Sequence, residues 1–96
     1  MSILWILEWA GISPGQYEAL RNDLSWESAD GLLLHVAAFD QKGLILTEVW
    51  KSPDHVQPFM DDALLPAVQK LGITTMPRVD LYETYKLSGP LLKPSD

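Results

Sequence analysis

The chain has 96 residues, a net charge of −6 and no cysteine. That length suits one domain spanning 1–96 with a modest core, and the missing cysteine excludes a disulfide scaffold and thiolate catalysis. Seven scattered Lys and Arg residues are too few to track phosphates, so nucleic acid is not an expected partner.

The opening segment MSILWILEW is short, bulky and rich in strand formers, and predicts a first strand over Ile3–Trp9. It lacks the basic start of a signal peptide, and nowhere do ~18 apolar residues run together, so a cytoplasmic domain without a membrane span is expected. After Gly11, Ser13 reads as a helix N-cap, Pro14 as the first helical residue and Gln16 as the capping-box partner. Tyr17, Leu20 and Leu24 follow at helical spacing, predicting a helix over Pro14–Leu24. The polar stretch SWESAD, with Trp26 in it, reads as a loop.

GLLLHVAAFD and LILTEVW, joined by the turn DQKG, read as a hairpin of strands over Gly31–Phe39 and Leu44–Trp50. Ser52 and Pro53 start a second helix whose apolar stripe runs from Val56 to Leu71. Pro58 and Pro66 lie inside it, and each removes an amide donor and crowds the carbonyl four residues back, so a kink or break is expected near each. Gly72 stops the helix, PRVDLYET from Pro77 alternates like a last strand, and residues 86–96 read as an irregular tail. The order βαββαβ predicts a ferredoxin-like antiparallel sheet with both helices on one face. In so small a domain the other sheet face is left apolar and uncovered, which predicts pairing with a second copy.

Strand residues alternate between faces, so pairing Phe39 with Leu44 sets His35 opposite Glu48 and Leu33 opposite Trp50. One hairpin face then carries Leu33, His35, Ala37, Phe39, Leu44, Leu46, Glu48 and Trp50; the other carries Leu34, Val36, Ala38, Ile45, Thr47 and Val49 and is almost purely aliphatic. In the first strand Glu8 shares a face with Leu4 and Ile6, while Trp5, Leu7 and Trp9 point the other way. A histidine oriented by a carboxylate is the usual general base near neutral pH. The pair serves equally well as a satisfied structural contact.

The hairpin ending LTEVWKS, followed at once by a helix with a long apolar stripe, resembles the dimeric α+β barrel superfamily, and most nearly its antibiotic-biosynthesis-monooxygenase branch of cofactor-free oxygenases and heme-degrading enzymes. The resemblance covers Ile3 to Tyr85 and implies a homodimer with a pocket between sheet and helices, into which the tryptophan matching Trp50 points. It therefore implies that His35 and Glu48 face the pocket, as the catalytic pair. Trp50 and Tyr17 would wall it, though the spacing of Tyr17 suits plain packing equally well and Trp50 serves as well in the core; Trp26 would lie at its mouth or merely anchor its loop, and Glu8 would be a second polar group. The aliphatic face, taken together with Trp5, Leu7 and Trp9, would form the dimer barrel. Glu8 stands where heme-degrading members carry a catalytic asparagine, and Gln69 where they carry the heme-ligating histidine, so heme degradation is not expected. No cofactor is expected: there is no P-loop, dinucleotide fingerprint, nucleophile elbow or metal-ligand spacing. Three readings follow: a cofactor-free monooxygenase acting on a small apolar aromatic or polyketide-like molecule, a cyclase or isomerase using the same base, or a non-catalytic ligand-binding or interaction protein.

Overall fold

The computed structural model describes residues 1–90. Its elements are β1 (Ile3–Ala10), α1 (Pro14–Leu24), a short 3₁₀ turn (Trp26–Ser28), β2 (Leu32–Phe39), β3 (Gly43–Trp50), α2 (Pro53–Pro58), a π-helical turn (Phe59–Leu64), α3 (Leu65–Lys70) and β4 (Arg78–Glu83). The four strands form one antiparallel sheet in the order β2-β3-β1-β4, the expected α+β ferredoxin-like arrangement. Residues 84–90 carry no helix or strand, and the rest of the predicted tail lies outside the described residues.

The capping signals act as read at α1. Ser13 Oγ accepts from the Gln16 amide at 3.2 Å, and Gln16 Oε1 accepts from the Ser13 amide at 2.9 Å. At the second helix Ser52 caps no amide; its hydroxyl pairs with His55 Nδ1 at 2.8 Å. The two prolines neither break this helix nor leave it regular. Between them the chain widens into a π turn, closed by the Leu65 amide donating to the Met60 carbonyl five residues back. The wider turn precedes Pro66 and relieves the clash of that ring with the carbonyl four residues back without ending the helix. Gly72 then stops it with φ +69°, in the left-handed region that only glycine enters at little cost.

The sheet buries one face. Trp5, Leu7, Trp9, Leu44, Leu46 and Trp50 are at most 1% exposed and pack with Leu20 of α1 and with Val56, Ala67 and Val68 of the second helical segment. This corrects the expected placement of β1. Trp5, Leu7 and Trp9 were expected in the dimer barrel, but Trp5 pairs with Glu48, Leu7 with Leu46 and Trp9 with Leu44, so all three face the helices. Glu8 pairs with Ile45 and Arg78 and lies on the uncovered face with Leu4 and Ile6. Both sides of β1 are apolar, so alternation alone could not say which is buried.

Candidate functional site

The hairpin register places the site. Asp40 Oδ1 accepts from the backbone amides of Lys42 at 2.8 Å and Gly43 at 3.0 Å, which closes the turn and holds its carboxyl below the usual carboxylate range. From there Phe39 pairs with Leu44 and His35 with Glu48, as expected. Nearer the open end of the hairpin the register slips: Trp50 pairs with Leu32, not Leu33, because a bulge lies between Leu32 and Leu34. A bulge sets two residues against one and turns the extra residue away. Leu33 is accordingly 53% exposed.

Four side chains form one hydrogen-bonded chain. The Tyr17 hydroxyl lies 2.5 Å from His35 Nε2, His35 Nδ1 lies 2.5 Å from Glu48 Oε2, and Trp50 Nε1 donates to Glu48 Oε1 at 3.0 Å. A single tautomer satisfies every contact: Nδ1–H donates to the carboxylate while Nε2 accepts from the phenol. Glu48 is the one buried charged residue among the described residues, with no exposed surface. A carboxylate removed from water needs partners at both oxygens, and it has them. Burial pushes the Tyr17 phenol above its ordinary pKa of 10.0, the nearby carboxylates of Glu27, Glu18 and Glu48 adding to this and Arg21 opposing it. The phenol therefore stays protonated at neutral pH and remains the donor to His35.

Aromatic rings enclose this chain. Trp26 stands edge-on to the His35 ring with centroids 5.3 Å apart, and Tyr17 stacks on the same ring at 6.0 Å. The residues that bring Trp26 in are local: Ser25 takes a left-handed conformation (φ 49°) at the end of α1, and Arg21 pairs with Glu27 beyond the turn. Trp26 is only 1% exposed, so it is an interior residue and not the mouth of a pocket. Trp50 is equally buried and stacks on Trp5 at 5.9 Å. Tyr17 is a hydrogen-bonding member of the chain more than a wall. Glu8 is separated from it by the thickness of the sheet. The indole N–H groups of Trp5 and Trp26 are buried without a protein partner, which ordinarily costs about 1–3 kcal/mol each.

His35 was expected to face a cavity. Its side chain is instead 11% exposed and hemmed in by Tyr17 and Trp26. An open cavity of about 310 Å³ lies beyond them, between the end of α1 and the second helical segment. Leu24, Ala29, Pro58, Phe59 and Ala63 give it apolar walls, and Asp30, Asp54, His55 and Asp62 its polar ones. His55, part of this wall, is packed where a Cβ on Gly31 would fall, 2.3 Å from its ring, so only glycine fits there. A second cavity of about 350 Å³ lies by Ser13, Gln16 and Ile73, away from the histidine. Among the described residues no three His, Asp or Glu side chains are grouped to hold a metal ion, and no helix is long and apolar enough to cross a membrane.

One antiparallel sheet, helices packed on one of its faces and a buried tyrosine–histidine–carboxylate chain between them define an α+β protein of the ferredoxin-like type. Its fold is that of antibiotic-biosynthesis-monooxygenase-like proteins. SnoaB, a cofactor-independent oxygenase from Streptomyces nogalater, superposes with a TM-score of 0.68 at 14% identity over 93% of this chain and 97% of its own. Candidate antibiotic biosynthesis monooxygenases from Chloroflexus aurantiacus (TM-score 0.62, 21% identity, 91% and 97% covered) and Deinococcus radiodurans (0.59, 20%, 95% and 99%) share it as well. No protein-family model and no curated protein sequence matches the chain.

Proposed function

We propose that the protein is a cofactor-free oxygenase for a small phenolic aromatic, working as a homodimer, with His35 as base, Glu48 as its orienting partner and Tyr17 as the group that passes the substrate's proton to it. The observation that carries this reading is the continuous chain Tyr17–His35–Glu48–Trp50, buried on the helix side of the sheet. The oxygenase named among its structural neighbours supports it by fold.

In this scheme the phenol yields its proton through Tyr17 to His35 Nε2, and Glu48 stabilises the imidazolium that forms. The phenolate, with carbanion character at a ring carbon, adds dioxygen there to form a C–O bond and a peroxide. The proton returns to the peroxide, and loss of water leaves a quinone; one phenol and one dioxygen become one quinone and one water. Positioned acid–base catalysis is worth roughly 10²–10⁴-fold, so His35→Ala should lower turnover by about that factor, and Glu48→Gln by less. The test is oxygen uptake and quinone absorbance over a panel of phenols and quinols beginning with 1-naphthol, with folding checked by circular dichroism. Unchanged turnover in a folded His35→Ala variant removes the base.

A second reading has its own observation. Tyr17 and Trp26 cover most of the His35 ring, as they would in a satisfied structural histidine. A wild-type protein that binds the panel but consumes no oxygen would be the non-catalytic ligand-binding protein. The cyclase reading predicts product without oxygen uptake.

A further inference from the structure

The open cavity and the buried chain do not meet, and what separates them is one aromatic layer. Phe59 lines the cavity while its ring packs on three indoles, with centroids 5.0 Å from Trp50, 5.6 Å from Trp26 and 6.0 Å from Trp5. Trp26 is in turn the neighbour of His35. Two of those three indoles, Trp5 and Trp26, are the ones whose N–H groups are buried without a partner. An indole N–H can only donate, so what would satisfy it is an oxygen acceptor.

We propose that the cavity and the volume the Phe59 ring now fills form one binding path for an uncharged, flat, hydroxylated aromatic, with Phe59 as the movable partition and the Trp5 and Trp26 N–H groups as the donors to its oxygens. It rests on the oxygenase reading for what happens after binding, but not for binding itself. Phe59 opens the π turn that lies between Pro58 and Pro66, where the regular α-helical ladder is replaced. Such turns concentrate at functional positions. The cavity volume of about 310 Å³ is that of a small-molecule site. Its rim sets the charge preference: Asp30, Asp54 and Asp62 line it and no Lys or Arg does. That field repels a carboxylate while leaving a neutral ring unaffected.

The experiment is a titration of ¹⁵N-labelled wild-type protein followed at the indole N–H signals of its four tryptophans. Added 1-naphthol should move the Trp5 and Trp26 signals most. Trp50 and Trp9 should move least, since Trp50 already donates to Glu48 and Trp9 to Thr75 at 3.1 Å. By calorimetry at low ionic strength 1-naphthol should bind about tenfold more tightly than 1-naphthoate, and the gap should shrink at high salt or in the exposed double variant Asp30→Asn/Asp62→Asn. Phe59→Leu should speed association. If that variant does not fold, the wild-type titration decides alone. Absent indole shifts, shifts confined to Trp9 or Trp50, or equal binding of the carboxylate would each overturn the path. The two proposals fail separately: indole shifts with unchanged turnover in His35→Ala leave the path and remove the base, and the converse removes only the path.

Discussion

On the helix side of the sheet Trp5, Leu7, Leu46, Glu48 and Trp50 have no solvent exposure, while on the other side Val36 keeps 51%, Ile45 36% and Tyr82 52% of theirs. Both faces are made largely of apolar residues, so hydrophobicity does not distinguish them. The buried face carries the four-membered hydrogen-bonded chain and nearly all the large rings; the uncovered face is mostly aliphatic, with Glu8, Thr47, Arg78, Asp80 and Tyr82 among its residues. The difference teaches that a charged group is held inside this fold where its partners are supplied in full. Glu48 lies deep because both its oxygens are bonded, whereas Glu8 on the other side is left to water.

The largest contrast should come from truncation. Trp5→Ala should cost about 3–5 kcal/mol in urea unfolding, because the ring is fully enclosed. Val36→Ala should cost less than ~1 kcal/mol within one chain, and its effect should grow with protein concentration if this face pairs with a second copy. An equal cost for both would erase the distinction between the faces.

The next test sharpens the role of the uncovered face. Light scattering should find wild-type protein at twice the 10.8 kDa chain mass, and Val36→Asp should weaken that association by about two orders of magnitude or more, since pairing would bury an unpaired charge. A monomer at micromolar concentration would end the homodimer proposal.

A smaller effect is expected inside the chain itself. Trp50→Phe keeps most of the packing but strips one partner from the buried Glu48, and should destabilise by about 1–3 kcal/mol in thermal or chemical unfolding. A neutral result would mean that water replaces the indole, so that this part of the helix side is wetter than its burial implies.

The smallest concerns Tyr17. Tyr17→Phe should cost about 1 kcal/mol at neutral pH, the usual worth of one hydrogen bond. Its pH signature is more telling. The folded pKa is raised above the ordinary 10.0, so the folded state holds this proton more tightly than the unfolded one. Stability is therefore unaffected by the group below about that value and falls as pH rises through the window between the unfolded and folded pKa. Unfolding midpoints measured across alkaline pH should drop for wild type and drop less for Tyr17→Phe.

Much of this contrast could be read in advance from the hairpin. The DQKG turn specifies the pairing of His35 with Glu48, because the length of a hairpin turn fixes the register of the strands it joins, counted out from Phe39 and Leu44. The bulge at Leu33 was not legible, since three consecutive leucines look the same in any register. Trp26 was not legible as an interior residue either, lying in a polar stretch that its side chain escapes only through the left-handed turn at Ser25. The prolines announced a disturbed helix but not its form, because a break, a kink and a π turn all relieve the same clash.

Local patterns by themselves determined the elements, their order, the capping of α1 and the cross-strand partner of His35, since turn chemistry, helical spacing and alternation act over a few residues. Which face of β1 is buried was decided only in three dimensions. That choice depends on the register between β1 and β3, strands far apart in the chain, and on which apolar side the helices happen to cover. The same long-range packing closed Tyr17 and Trp26 around His35 and put Phe59 between that histidine and the open cavity. No spacing within one segment encodes how rings from three separate elements come to share a volume.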